Sequence, residues 1–157
     1  MGKRYYLAYG SNLNVEQMRW RCPNTVPLGT AEIKDYRLLF KGSQSGAYLT
    51  IEESEGSSVP VAVWAVTEAD EAKLDRYEGY PRFYYKTEMD ITYKGLKTRR
   101  NRKAHAFVYI MHEDRPFGIP SQMYVDTCIE GYRDFGFDRS ILIKAVTDSM
   151  EEIRNEE

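Results

Sequence analysis

The sequence predicts an α+β fold: a small mixed, mostly antiparallel β-barrel with surrounding helices. Two observations predict this fold. β-branched and aromatic runs are separated by Gly and Ser clusters, as in consecutive strands. These runs occur in groups and do not alternate regularly with helices, which excludes a series of βαβ units. The length of 157 residues fits one hydrophobic core. We therefore expect one domain over residues 1–157.

The N-terminal half begins with a strand and a helix and continues with three strands. Residues 4–9 read RYYLAY, an apolar and aromatic run, and Asn14 follows as a helix N-cap. From Ala31 the pattern becomes that of antiparallel strands joined by short turns. The three predicted strands cover residues 31–40, 47–54 and 59–67.

A helix and a strand pair follow. Thr67 is placed to cap a helix over residues 68–78, and Gly79 is placed to end that helix in a left-handed conformation. A hairpin connection then joins strands at residues 83–93 and 103–111. This order favours antiparallel pairing of the last two strands.

Two helices complete the predicted fold. Ser121 follows a proline and is the expected N-cap of the first helix, in which Cys128 and Tyr132 share an apolar face. Asp138 is the expected N-cap of the second helix, which ends in an acidic tail. Cys128 is therefore expected in the core.

Composition limits the classes of function. The net charge of −2 gives no global field that would draw the chain onto nucleic acid or an anionic membrane. No run of apolar residues approaches the length of a membrane span or of a signal-peptide apolar region. The two cysteines and two histidines fit no metal-ligand spacing. We expect a soluble, cytoplasmic protein that binds no metal, and its 13 tyrosines indicate a pocket with polar groups at its wall.

The stretch YGSN, residues 9–12, ends the first strand. Gly10 can take a positive φ and lets a ligand approach the main chain. Successive N–H groups of Gly10, Ser11, Asn12 and Leu13, next to a helix start, form a concavity that can hold a carboxylate, a phosphate or a developing oxyanion. A tight strand-to-helix turn without a ligand accounts for the same residues. The glycine patterns of nucleotide-binding loops are absent.

Glu78 is expected at the C-terminal end of its helix. A negative charge there opposes the helix macrodipole. The aromatic residues on both sides of it, if they exclude water from the carboxyl group, would also raise its pKa toward the range useful for a general base. The alternative is an exposed glutamate beside a C-cap glycine.

Other residues with reactive side chains fit structural positions better. Ser11 has no nucleophile-elbow motif around it. His105 and His112 lie in or at the end of a strand, and neither is placed to activate a nucleophile. Cys22 is expected to end the first helix. The basic run from Lys94 to Lys103 is expected to be a solvated hairpin loop, although it can also contact phosphates.

Several motifs together resemble the γ-glutamylcyclotransferase-like family, which includes γ-glutamylamine cyclotransferases and plant AIG2-type proteins. They are YGSN followed by Leu13, DRYEG with Glu78, a tyrosine shortly after it, and PSQMY ending at Tyr124. The motifs occur in the order that the family shows, and the resemblance covers nearly the whole chain. It implies a small barrel with surrounding helices, in agreement with the strand pattern.

The resemblance also implies site residues. The loop from Tyr9 to Leu13 is implied to bind the γ-glutamyl portion of the substrate or the 5-oxoproline product, and Glu78 is implied as the catalytic base. The aromatic residue after the glutamate is Tyr84 or Tyr85, which face opposite ways on a strand, so that only one can line the pocket. Tyr124 completes the substrate-binding set. No cofactor is implied, and members are often homodimers.

The implied chemistry needs few reactive side chains. The α-amine of a γ-glutamyl amide attacks its own γ-carbonyl, so the nucleophile belongs to the substrate. The protein must fold the substrate, take a proton from the ammonium and return it to the departing amine. The resemblance therefore implies a cofactor-independent acyltransferase that releases 5-oxoproline and an amine, with Glu78 as general base and acid.

Two other functions stay open on the sequence. The pocket can bind a small anionic metabolite without chemistry, as a binding or interaction module. The basic loop at residues 94–103 can bind nucleic acid, although the rest of the chain is acidic. The sequence does not identify the leaving amine.

Overall fold

Five strands form a closed barrel in a computed structural model that describes residues 3–156. Around the barrel the strands follow the order β1, β3, β2, β4, β5. β1 pairs with β5 in parallel, and all other neighbours are antiparallel. The predicted α+β fold with a mixed, mostly antiparallel barrel is confirmed. The strands are β1 (Arg4–Ala8), β2 (Val26–Lys41), β3 (Tyr48–Val66), β4 (Tyr84–Gly95) and β5 (Asn101–Met111).

In the described part of the chain, four α-helices surround the barrel, and a 3₁₀ turn (Ser11–Leu13) precedes the first. The predicted caps Asn14 and Ser121 occupy their expected places, whereas Asp138, predicted as the cap of the last helix, lies two residues before its first residue and accepts from the N–H of Ser140. Asn14 accepts from the N–H of Gln17, and Ser121 accepts from the N–H of Tyr124. The helices are α1 (Val15–Arg21), α2 (Glu68–Glu78), α3 (Gln122–Phe135) and α4 (Ser140–Glu156).

The ends of α2 fix where its last residue lies. Thr67 and Asp70 form a reciprocal capping box at the N-terminus, in which each side chain accepts from the other residue's N–H. Gly79 ends the helix with φ of 66°, a left-handed conformation that glycine adopts without steric cost. Glu78 is therefore the last helical residue, as predicted.

The predicted division of residues 47–54 and 59–67 into two strands is wrong, because both belong to β3. The Glu55–Ser58 stretch continues the strand through a bulge and does not reverse it. At this point Asp35 of β2 has φ of 64°, and its carboxylate accepts from the N–H of Gly56. The register shifts between Lys34 and Tyr36. Such a bulge increases strand twist and bends the long hairpin around the barrel.

The barrel closes at a short seam between β2 and β4. Only Gly29 with Gly95 and Thr30 with Lys94 pair there. A Cβ at Gly29 would lie 2.2 Å from the carbonyl oxygen of Lys94, so no larger residue fits this approach. Glycine permits the seam by allowing the two backbones to come close together.

The core fills the barrel and extends under the helices. Val59 to Val66 of β3 are all buried, because the barrel interior covers one face and helices cover the other. Trp64 packs edge-on against Phe135 of α3. Ser149 of α4 accepts from the N–H of Phe40 in β2 and anchors the last helix. Within residues 3–156, no helix is both long enough and apolar enough to cross a membrane.

We expect Gly29→Ala to destabilise the barrel by about 3 kcal/mol, because the new methyl group must displace the backbone of β4. Urea denaturation followed by circular dichroism measures the loss. Lys34→Ala, at an exposed position of the same strand away from the seam, is the control and should change stability much less. Equal stability of the two variants would show that the seam does not constrain the fold.

Candidate active site

A cavity of about 200 Å³ opens between β1, β3, the C-terminal end of α2 and the start of α3. Engineered cavities of about 150 Å³ admit a benzene ring, so this one accommodates a small ligand. Seven of the 14 lining residues are tyrosines, which accounts for more than half of the tyrosines in the chain. The lining residues are Tyr6, Leu7, Tyr9, Gly10, Ser11, Asn12, Tyr48, Leu49, Tyr77, Glu78, Phe83, Tyr84, Tyr109 and Tyr124.

The YGSN loop forms one wall of the cavity. The N–H of Leu13 donates to the carbonyl of Gly10, which closes the 3₁₀ turn. Within the described residues, the N–H groups of Gly10, Ser11 and Asn12 donate to no protein acceptor, as the first groups of a helical turn must. Three N–H groups are therefore free for a ligand, whereas the expected fourth, that of Leu13, is not.

Two expectations about the loop need correction. Gly10 has φ of −118° and does not use the left-handed region. Its small size is needed instead for close packing, since a Cβ there would lie 3.2 Å from the hydroxyl of Tyr124. Leu13 does not line the cavity, because its side chain is fully buried in the core beneath the loop.

Helix α3 holds the loop from below. A Cβ at Gly131 would lie 2.7 Å from the Cβ of Leu13, so the helix and the loop are in direct contact. Asn14 donates from its side chain to the carbonyl of Thr127 and to the carboxylate of Glu130. The free N–H groups are thus fixed in direction before any ligand binds.

Glu78 faces the cavity from the end of α2. Within residues 3–156 its carboxyl group has no hydrogen-bond or ion-pair partner. Removal of water by the surrounding side chains raises its pKa to about 7, and the positive charge of Arg21 opposes that rise. A carboxyl group with this pKa exchanges a proton readily near neutral pH.

The tyrosine hydroxyl groups of the opposite wall are directed by the backbone. Tyr84 donates to the carbonyl of Leu49 over 2.8 Å, and the N–H of Leu49 donates to the hydroxyl of Tyr124 over 3.2 Å. Tyr9 donates to the carbonyl of Tyr109 over 2.6 Å. These hydrogen bonds fix the orientation of the three rings around the cavity that Glu78 faces.

The structure separates Tyr84 from Tyr85, as strand geometry requires. Tyr84 is buried and lines the cavity. Tyr85 lies on the other face of β4, where its hydroxyl donates to Glu113, and it does not line the cavity. Of the predicted site residues, Leu13 and Tyr85 are therefore outside the lining, and the others are brought together.

Sequence reasoning missed one polar cluster beside Glu78. The guanidinium of Arg21 lies 3.5 Å from the ring centroid of Tyr77 and donates to the side chains of Asn12 and Gln17. Its position at the end of α1 gave no local signal. The hydroxyl of Tyr77 is 3.2 Å from that of Ser11.

A second missed cluster supports Tyr109. The hydroxyl of Tyr109 donates to Asp75 over 2.6 Å, and Lys86 pairs with both Asp75 and Glu71. Alternation along β5 could have placed Tyr109 on an inward face, but not against the end of α2.

The other reactive side chains lie away from the cavity. His105 is exposed between Glu88 and Asp90, and His112 bonds to the carbonyl of Pro81. Cys128 is buried in the core and Cys22 ends α1, both as predicted. In the part of the chain that the structure describes, no three His, Cys, Asp or Glu side chains are grouped as metal ligands.

The family profile and the similar proteins of known name all point to the gamma-glutamyl cyclotransferases. The sequence profile of the family "Gamma-glutamyl cyclotransferase, AIG2-like" matches residues 6–126. The chain is 29% identical to a gamma-glutamylcyclotransferase of Mus musculus over 168 residues, which cover 94% of this chain and 86% of the mouse protein. It is 36% identical to the Bos taurus protein of the same name over 81 residues, and that match spans 47% of this chain but only 43% of the bovine one.

The fold has close counterparts among solved structures. A structure described as a gamma-glutamyl cyclotransferase superposes with a TM-score of 0.76 at 24% identity, covering 91% of this chain and 86% of that one. At this identity the superposition supports the fold alone, which agrees with the barrel and helices described above.

We expect Glu78→Gln to raise the melting temperature at pH 8 but not at pH 4.5. The folded protein binds the Glu78 proton more tightly than the unfolded chain, so stability from this group is present below the ordinary pKa of 4.5 and is lost as the pH rises through about 7. An amide stays neutral throughout. The gain at pH 8 should be roughly 10 °C.

Differential scanning calorimetry at the two pH values measures the effect. Glu68→Gln, at an exposed position in the first turn of the same helix, is the matched control and should show no such gain at pH 8. An equal change for Glu78→Gln at both pH values would contradict a raised pKa.

Proposed function

The chain belongs to the gamma-glutamyl cyclotransferase, AIG2-like family, and on that premise we propose that it is a cofactor-independent γ-glutamylcyclotransferase with Glu78 as general base and acid. The observation that carries the proposal is a carboxyl group with a pKa of about 7 and no protein partner, facing a small cavity with free N–H groups on its wall. The substrate class is a γ-glutamyl amide. The products are 5-oxoproline and a free amine.

The cavity suits a bound γ-glutamyl group because its two ends differ. The free N–H groups of Gly10, Ser11 and Asn12 offer donors for a carboxylate or an oxyanion. Tyr84 and Tyr124 form the opposite wall, with hydroxyl groups already directed by the backbone of Leu49. Such rigid walls fold a flexible substrate so that its amine approaches its own carbonyl.

The proposed reaction uses one carboxyl group twice. Glu78 takes a proton from the substrate α-ammonium, and the freed amine forms a C–N bond to the γ-carbonyl carbon. The tetrahedral intermediate then collapses, and the bond between that carbon and the leaving nitrogen breaks. Glu78 returns the proton to the leaving nitrogen. The ring nitrogen, which is cationic after the attack, loses its second proton to the departing amine, which leaves as an ammonium. Protons therefore balance without a cofactor or a protein nucleophile.

The raised pKa of Glu78 fits both proton transfers. A carboxylate with an ordinary pKa of 4.5 is a weak base toward an ammonium and is rarely protonated at neutral pH. At a pKa of about 7 it is both a better base and a better acid. The cytoplasmic location and the one-domain organisation stay predictions alongside this function, and the sequence leaves a homodimer open.

We expect Glu78→Gln to lower kcat for 5-oxoproline release by about 10³-fold, because an amide cannot accept the proton. The substrates are a panel of γ-glutamyl dipeptides and γ-glutamyl amines, including ε-(γ-glutamyl)lysine, assayed by chromatographic detection of 5-oxoproline. Wild-type kcat/KM should rise with pH through about 7, where Glu78 loses its proton. Glu68→Gln is the control and should keep wild-type turnover.

Two results would contradict the proposed function. If the wild type releases no 5-oxoproline from any substrate but a γ-glutamyl ligand raises its melting temperature, the protein is a binding module. If Glu78→Gln retains turnover, another group moves the proton.

A further inference from the structure

Arg21, Asn12 and Tyr6 form a series of hydrogen bonds beside Glu78, and the donor in each bond follows from the chemistry of these side chains. Arg21 donates to the side chain of Asn12, and a guanidinium has no acceptor. The atom of Asn12 that faces Arg21 must therefore be its carbonyl oxygen. Its amide nitrogen faces the opposite way, toward the hydroxyl of Tyr6, and donates to it over 2.9 Å.

The next link fixes the proton of Tyr6. Because the Tyr6 oxygen accepts from Asn12, the Tyr6 O–H must donate to something else. Within residues 3–156 it has no acceptor, and the side chain lines the cavity together with Glu78. The hydroxyl proton is thus available to a bound ligand.

Arg21 is itself held in place, which fixes the donor and acceptor roles in this series of hydrogen bonds. Its second nitrogen donates to Gln17 over 3.0 Å, and its plane stacks on Tyr77. Two aromatic neighbours fix the ring of Tyr6. It stacks on Phe107 with the ring centroids 5.4 Å apart, and it packs edge-on against Tyr109. A fixed donor in a buried site stabilises developing negative charge without reorganising.

Resting on the proposed function, we propose that the Tyr6 hydroxyl donates a hydrogen bond to the γ-carbonyl oxygen of the substrate, where negative charge develops, and that Arg21 and Asn12 are the positioning residues that turn its proton into the cavity. Tyr6 transfers no proton in this role. Burial and the charge of Glu78 raise its pKa well above the ordinary value, so the hydroxyl stays protonated as a donor.

The proposal makes an unusual prediction about Asn12. Asn12→Asp keeps the shape and the contact with Arg21, but it replaces the amide donor by a carboxylate oxygen. Tyr6 should then donate to that oxygen and turn its proton away from the cavity. Asn12→Ala removes the donor without offering an acceptor. We expect the aspartate variant, although closer in shape, to be the more damaged of the two.

The experiment measures kcat and KM for 5-oxoproline release at a pH above the acid limb. Tyr6→Phe and Asn12→Asp should each lower kcat by about 10²-fold, with a smaller change in KM. The double variant should be no slower than the slower single variant within about threefold, because both changes remove the same hydrogen bond. Tyr5→Phe loses a hydroxyl on the same strand, outside the cavity lining, and should keep wild-type kcat.

Arg21 provides a test by rescue. Arg21→Gln lets Asn12 rotate, because glutamine can present an oxygen or a nitrogen to it, and should lower kcat. Arg21→Lys keeps a pure donor and should restore most of kcat. Arg19→Gln, at the exposed side of the same helix, is the control.

A binding measurement separates this proposal from the proposed function. 5-Oxoproline retains the same carbonyl oxygen, so calorimetric titration should show about tenfold weaker binding to Tyr6→Phe than to wild type even if the wild type catalyses nothing. Equal binding by both proteins, or none by the wild type, overturns the proposal. It is also overturned if Tyr6→Phe only shifts the acid limb of kcat/KM and leaves kcat at the plateau unchanged, since Tyr6 then acts on Glu78.

Discussion

The site depends on a carboxyl group that is largely shielded from water by aromatic side chains and has no protein partner within residues 3–156. Burying a carboxylate costs free energy unless hydrogen bonds or a counter-charge compensate it, and Glu78 has neither in direct contact. The helix end and the aromatic wall therefore hold a group that favours its protonated form. The surrounding structure meets that cost elsewhere, through the capping box of α2, its glycine end and the covered strands of the barrel.

Tyrosine suits such a cavity for a physical reason. Its ring excludes water, and its hydroxyl can be satisfied by the backbone, so it supplies apolar surface and a directed polar group together. Tyr9, Tyr84 and Tyr109 all donate to protein acceptors, which leaves the interior of the cavity with few uncommitted groups. Among the described residues, the uncommitted groups include the Glu78 carboxyl group, three loop N–H groups and the Tyr6 hydroxyl proton.

Most of the fold was predictable from the sequence because its signals are local. Caps at Asn14, Thr67 and Ser121 were predictable because each is defined by residues within a turn of it. The continuity of β3 was not, because the bulge opposite Asp35 is set by the partner strand and the intervening Gly and Ser residues look like a turn. The contribution of Arg21 was invisible for the same reason, since its partners come together only after the chain has folded.

The wall of the cavity joins residues that are far apart along the chain. Tyr9 bonds to the backbone of Tyr109, 100 residues later, and β1 pairs in parallel with β5. Contacts at such separation form late, because loop closure must occur before they contribute stability. During synthesis on the ribosome, β1 can pair with β3 first, but its pairing with β5 must wait until β5 has emerged. The nascent chain therefore carries the YGSN loop long before the cavity that the loop lines is complete.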